Sequence, residues 1–127
     1  MQIKPDFTLP KAEKLCHEVA IKELFTKGES AFLFPFKLIF KRKTLLDAIP
    51  TQVVFSVSKR NFKLATDRNW IKRRLRELYR LHKNLFFDKQ GIPCLQHLGI
   101  VYVAKEKIEY AQLKKKFVAA SKKIITT

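Results

Sequence analysis

Two hydrophobic periods take turns along this chain, and the switches between them mark its elements. From Pro10 to Lys27 the apolar residues Leu15, Val19, Leu24 and Phe25 recur at near-helical spacing, with proline near the first turn and Gly28 where a helix would stop. This predicts a first helix of about five turns. AFLFPFKLIFK, Ala31 to Lys41, is rich in Phe and Leu but broken by Pro35, which has no N–H for a ladder, so it predicts a short edge strand and then a second strand. In TQVVFSVS, Thr51 to Ser58, Val53, Phe55 and Val57 alternate with Val54, Ser56 and Ser58, the period of a strand with one more polar face. A basic helix follows, starting near Arg68 with Asp67 as its N-cap. KQGIP, Lys89 to Pro93, marks a loop, and GIVYVAK from Gly99 reads as a fourth strand. Tyr110, Leu113, Phe117, Ala120 and Ile124 repeat at three and four residues, which makes a closing amphipathic helix.

The order α-β-β-β-α-β-α predicts an α+β sandwich, with helices against one mainly antiparallel four-stranded sheet that contains a β-α-β crossover. The general rule for such a crossover is a right hand. With 127 residues, 46% of them hydrophobic, and only 3 glycines, the chain is expected to be one domain with a single core, with residues 1–7 and 126–127 as flexible ends.

Charge changes this picture. Against 11 Asp and Glu stand 27 Lys and Arg, a net +16, which points to a polyanionic partner, nucleic acid first and an anionic membrane surface second. Cys16 and Cys94 are too few for a disulfide scaffold, which fits a reduced, cytoplasmic setting, and neither a signal peptide nor a spanning helix is legible. Cys94-x-x-His97 has a metal-like spacing without a second ligand pair, and Cys16-His17 and His82 read as packing residues.

On the basic helix the two kinds of residue separate. Stepping 100° per residue, Ile71, Leu75, Leu78, His82 and Leu85 fall on one arc, and Arg68, Asn69, Lys72, Arg73, Arg76, Arg80 and Lys83 on another. From Lys59 to Lys83 ten basic residues face only Asp67 and Glu77, whereas an ordinary solvated face interleaves both signs. Phosphate binding is the reading this favours, since counterion release rewards such a surface. The charge alone does not choose between RNA and DNA.

At these residues the chain resembles the bacterial ribonuclease P protein family, whose motif runs approximately Arg-Asn-Arg-x-Lys-Arg-x-x-Arg-Glu. Here it reads Arg68-Asn69-Trp70-Ile71-Lys72-Arg73-Arg74-Leu75-Arg76-Glu77, with Trp70 where the family usually has arginine. LFTKG, Leu24 to Gly28, and FSVSKR, Phe55 to Arg60, lie at matching distances, so the resemblance covers about residues 7 to 125. It implies a left-handed crossover and a small subunit that binds a large catalytic RNA, the two together removing the 5′ leader of precursor tRNA. No further protein partner and no membrane is implied. Hydrolysis would belong to the RNA, with Mg²⁺ held mainly by the RNA and the substrate and no metal or catalytic residue on the protein, which alone would be inactive. The scattered carboxylates agree with that division, since none forms a metal-pair cluster.

By the resemblance, Arg68, Asn69, Lys72, Arg73 and Arg76 contact the RNA subunit, and Arg80 and Lys83 extend the same arc. It also implies a cleft between the first helix and the sheet that holds the single-stranded leader, with Phe25 and Phe40 as stacking rings and Lys59 and Arg60 as phosphate partners. Ile21 stands where the family often has a second phenylalanine. The alternative from a different class is a structural RNA-binding protein of ribosomal type, which would use the same basic face without a substrate cleft; a peripheral membrane protein is a third.

Overall fold

A computed structural model describes residues 13–44, 49–88 and 90–126. The elements follow the predicted order: α1 (Glu18–Lys27), β1 (Glu29–Leu33), β2 (Phe36–Arg42), β3 (Gln52–Val57), α2 (Ala65–His82) with a 3-10 turn (Lys83–Phe86), β4 (Leu95–Tyr102) and α3 (Tyr110–Thr126). The strands form one sheet in the order β1-β2-β4-β3. β1 with β2 and β2 with β4 run antiparallel, while β3 and β4 are parallel neighbours joined through α2, so the sheet is mixed.

The helices divide between the two faces of the sheet rather than sharing one. Under α2 and α3 lies the main core, where Phe36, Leu38, Phe40, Val53, Val57, Leu98, Ile100 and Tyr102 of the sheet meet Ile71, Leu75, Leu78 and Tyr79 of α2 and Leu113, Phe117, Ala120 and Ile124 of α3. Aromatic rings meet edge to face through it, Phe36 with Phe117 at 5.7 Å and Phe117 with Phe86 of the 3-10 turn at 6.3 Å. On the opposite face a smaller cluster joins Leu15 and Leu24 to Ile39, with Ala20, Ile21, Val54 and Val101 packed against it.

Three boundaries depart from the sequence reading. α1 starts at Glu18 and not at Pro10, because Lys14 bridges the open edge of β3 at Val53 and the Leu15 N–H donates to the Val53 carbonyl at 2.9 Å. Leu15 is apolar because it closes that edge, and Val19, taken as helical core, is exposed. α2 starts at Ala65 after Leu64, with no side-chain cap; Asp67 lies inside the first turn, where its charge still suits the helix dipole, and its carboxylate pairs with Lys107 at 2.9 Å. β4 starts at Leu95, four residues before Gly99; a register shift opposite Lys41 and Arg42 leaves exposed Gln96 as an extra residue there, and the bulge breaks the simple alternation. Thr126 is still within α3; residues 1–7 and Thr127 lie outside the described residues.

The loop after the 3-10 turn contains the chain's one left-handed glycine among the described residues, Gly91 at φ 78°. The Asp88 carboxylate accepts the N–H groups of Gln90 and Ile92 at 2.9 and 2.8 Å and shapes the turn.

Candidate nucleic-acid interface

α2 buries Ile71, Leu75, Leu78 and Tyr79 and so turns its remaining arc outward. Asn69, Arg73 and Arg76 are exposed, and Lys72 and Arg80 half-buried. Among the described residues no carboxylate pairs with Lys72, Arg73 or Arg76, which leaves three unneutralised charges within five residues. Arg80 differs: its guanidinium holds Glu77, three residues earlier, with Nε to Oε2 at 3.3 Å. Arg68 is half-buried and donates to the carbonyls of Phe62 and Lys63 at 2.8 and 3.0 Å, so it fastens the loop between β3 and α2 as well as belonging to the arc.

Lys83 leaves the arc altogether. It begins the 3-10 turn, is only 6% exposed, and its ammonium lies 3.1 and 3.2 Å from the two carboxylate oxygens of buried Glu13. The helical stepping that placed it outward fails because the helix has already tightened there. Lys83 is therefore a structural cation and not a surface contact.

Trp70 lies off the arc, half-buried against the main core. The Arg74 guanidinium sits 3.5 Å from its ring centroid and the Lys107 ammonium 4.9 Å away, so the indole covers the core edge and gathers cations around it.

The second feature is the face of the sheet beneath α1. Strand alternation and register place three rows of side chains there, running across the sheet. The middle row, Ser30, Ile39, Gly99 and Val54, carries α1. Gly99 lies directly beneath α1: a Cβ there would sit in ordinary van der Waals contact, 3.5 Å, with both Leu24 Cδ2 and Phe25 Cζ. On one side stands the row Lys41, His97 and Gln52, where Ala20, Glu23 and Lys27 of α1 border a small cavity of 90 Å³ with Lys41 and His97. Burial pushes the His97 pKa down, nearby Lys41 adds to the shift and Glu23 opposes it.

On the other side lies the row Phe32, Lys37, Val101 and Ser56, where Phe32 and Lys37 are exposed and Val101 and Ser56 half-buried. Since Ala20, Glu23 and Lys27 flank the His97 side, the helical step turns Ile21 and Phe25 toward this open row. Phe25 is 39% exposed with its ring edge over Gly99. Lys59 and Arg60, both exposed, follow the end of β3 at which Ser56 stands. A basic, partly aromatic groove is thus open along one flank of α1.

Phe40 is not part of it. It is 3% exposed and points into the main core beneath α2 and α3, because its neighbour Ile39 takes the α1 face and strand alternation sends Phe40 to the other. Phe32, Lys37 and Val101 are the groove residues that sequence reasoning missed. Their signal was present in the alternation around Ile39, but only the pairing of β1, β2 and β4 shows which parity faces α1. Among the described residues no three His, Cys, Asp or Glu side chains gather as a metal site, and no helix is long and apolar enough to cross a membrane.

A family model described as Ribonuclease P matches residues 9–125. The ribonuclease P protein component of Porphyromonas gingivalis W83 is 32% identical over 88 residues, 69% of this chain and 64% of its own length, so the chain spans just under two thirds of that relative. The component of Chlorobium phaeobacteroides is 40% identical over 110 residues, covering 79% and 75% of the two chains. Among solved structures, the RNase P protein of Staphylococcus aureus superposes with a TM-score of 0.71 at 22% identity, over 90% of this chain and 96% of that one. The protein from Thermotoga maritima gives 0.69 at 19%, over 87% and 96%. At such identities these two likenesses speak for the fold.

Proposed function

The chain belongs to the ribonuclease P protein family, and from that premise we propose that it binds the catalytic RNA through α2 and the 5′ leader of precursor tRNA through the groove beside α1. The observation that carries the reading is the unneutralised cationic arc of α2, with Lys72, Arg73 and Arg76 free of carboxylate partners among the described residues. Arginine and lysine there meet phosphates, Asn69 adds a hydrogen bond, and Arg68 and Arg80 contribute from the ends of the arc. Buried Lys83 has no part in it.

In the groove, Phe25 and Phe32 offer ring faces on which bases stack without regard to sequence, and Lys37, Lys59 and Arg60 meet the backbone. This suits a leader of variable sequence. The protein's contribution is affinity and positioning; phosphodiester hydrolysis is assigned to the RNA subunit, with Mg²⁺ held by RNA and substrate phosphates. The reaction would take place in the cytoplasm.

The test is reconstitution with the cognate catalytic RNA at low Mg²⁺, using precursor tRNAs of different leader length. The protein is expected to raise cleavage, and the gain to grow with leader length up to the span of the groove. Unchanged cleavage would overturn the proposal. A gain independent of the leader would remove the groove assignment and favour a purely RNA-anchoring role.

A further inference from the structure

We propose that the tip of the β1–β2 hairpin and the start of α3 form a second single-nucleotide subsite, for an unpaired base and its phosphate, around the edge of the sheet from the leader groove. The inference rests on the family reading above. Phe34, Pro35, Ile108, Gln112, Lys115 and Lys116 line a half-open pocket of 390 Å³. Its composition is that of a nucleotide site: a ring at 51% exposure, an apolar floor from Pro35 and Ile108, an amide, and two ammonium groups.

Phe34 is the observation that asks for an occupant. Hairpin tips are ordinarily built from Gly, Asn, Asp or Ser, yet this one holds a phenylalanine half out of the fold with lysines beside it. The charge of α3 identifies the occupant's sign. Between Tyr110 and Thr126 the helix carries Lys114, Lys115, Lys116, Lys122 and Lys123 and no carboxylate; the nearest acid in sequence, Glu109, precedes it. An apolar peptide or a second copy of this chain, itself at +16, would meet that field at a cost, whereas a nucleic acid strand would not.

Position links the pocket to the groove. Phe32 ends the open row on the α1 face at the β1 edge of the sheet, and Phe34 follows two residues later in the turn that joins β1 to β2. A strand leaving the groove past Phe32 at the sheet edge meets Phe34 next, with Lys115 and Lys116 lining the same pocket for its phosphate.

The occupant can come from the upstream end of the leader or from an unpaired nucleotide of the RNA subunit, and the experiment separates them. Full-length Phe34→Ala and Lys115→Gln/Lys116→Gln variants are titrated with precursor tRNA carrying a leader of about ten nucleotides, with precursor tRNA carrying about two, and with the RNA subunit alone. A leader source predicts a loss of about fivefold or more on the long-leader substrate only; an RNA-subunit source predicts the loss on the RNA subunit. In either case the lysine variant should also lower the salt slope by about 0.7, the single-strand value for one phosphate. Photo-crosslinking of 4-thiouridine in the responding RNA should label the peptide containing Phe34. Wild-type affinity of both variants for all three RNAs, with no such crosslink, overturns the subsite. An Arg73→Ala/Arg76→Ala variant run alongside keeps the two ideas apart: if it still loses RNA-subunit affinity, the family reading stands although the pocket has fallen.

Discussion

Trp70 shows how one residue's place decides its role. It occupies a position where arginine is expected from the motif, yet it packs on the core edge beneath Arg74 and beside Lys107. Trp70→Arg would put a third cation among those two and remove the ring that holds them. The expected result is unchanged or modestly raised RNA affinity together with a loss of roughly 1–3 kcal/mol in stability, read by chemical denaturation. A folded variant that lost most of its RNA affinity would place Trp70 in the interface instead. His97 supplies a pH test. Its folded pKa is depressed, so the unfolded chain takes up the proton more readily, and stability should fall as pH drops below about 6.5, its ordinary value. His97→Gln should flatten that part of the profile, and an unaltered slope would show that another group carries it.

At the scale of elements, α2 and the 3-10 turn after it hold their cations in two settings, exposed at Arg73 and Arg76 and buried at Lys83. Arg73→Ala/Arg76→Ala is expected to weaken binding to the RNA subunit and to lower the salt slope by about 0.9 per lost phosphate contact, with little change in stability because both side chains are exposed. Lys83→Met should do the reverse. Leaving Glu13 charged and buried without its partner costs on the order of 3–5 kcal/mol, while the salt slope of the folded variant stays that of the wild type. Adding Glu13→Leu to it should recover much of the loss, since an apolar pair can replace a buried ion pair. The same pair ties the segment before α1 to the turn after α2, elements far apart in sequence. At the other end of α1, Gly28 is demanded by closeness rather than by its φ of −70°: a Cβ would lie 2.5 Å from the Leu24 carbonyl oxygen and 3.0 Å from Ile39 Cγ2. Gly28→Ala should shift the helix end and cost about 1–3 kcal/mol, measurable as a lower melting temperature.

For the whole molecule, the sheet acts as a partition. One face is consumed by the core under α2 and α3, and the other is only partly covered by α1, which leaves the flank along Phe32, Lys37, Val101 and Ser56 open. A fold with all its helices on one face would have left an entire sheet face bare. The element order, the edge position of the proline-broken strand and the cationic face of α2 were all legible in the chain, because each depends on residues within a few turns or one strand length: the period of the apolar positions, a missing N–H, the sign of neighbouring charges. What the chain could not disclose depends on pairing at long range. Whether Ile39 or Phe40 faces α1 is a matter of one residue's parity, set by where β2 meets β4. Whether Lys83 is surface or core is decided by Glu13, 70 positions away, arriving at the same point. Local periodicity and charge thus determined what the elements are and that one of them carries a strongly cationic face; the tertiary structure alone decided which side chains share a groove, because only folding brings distant residues and their desolvation into the same space.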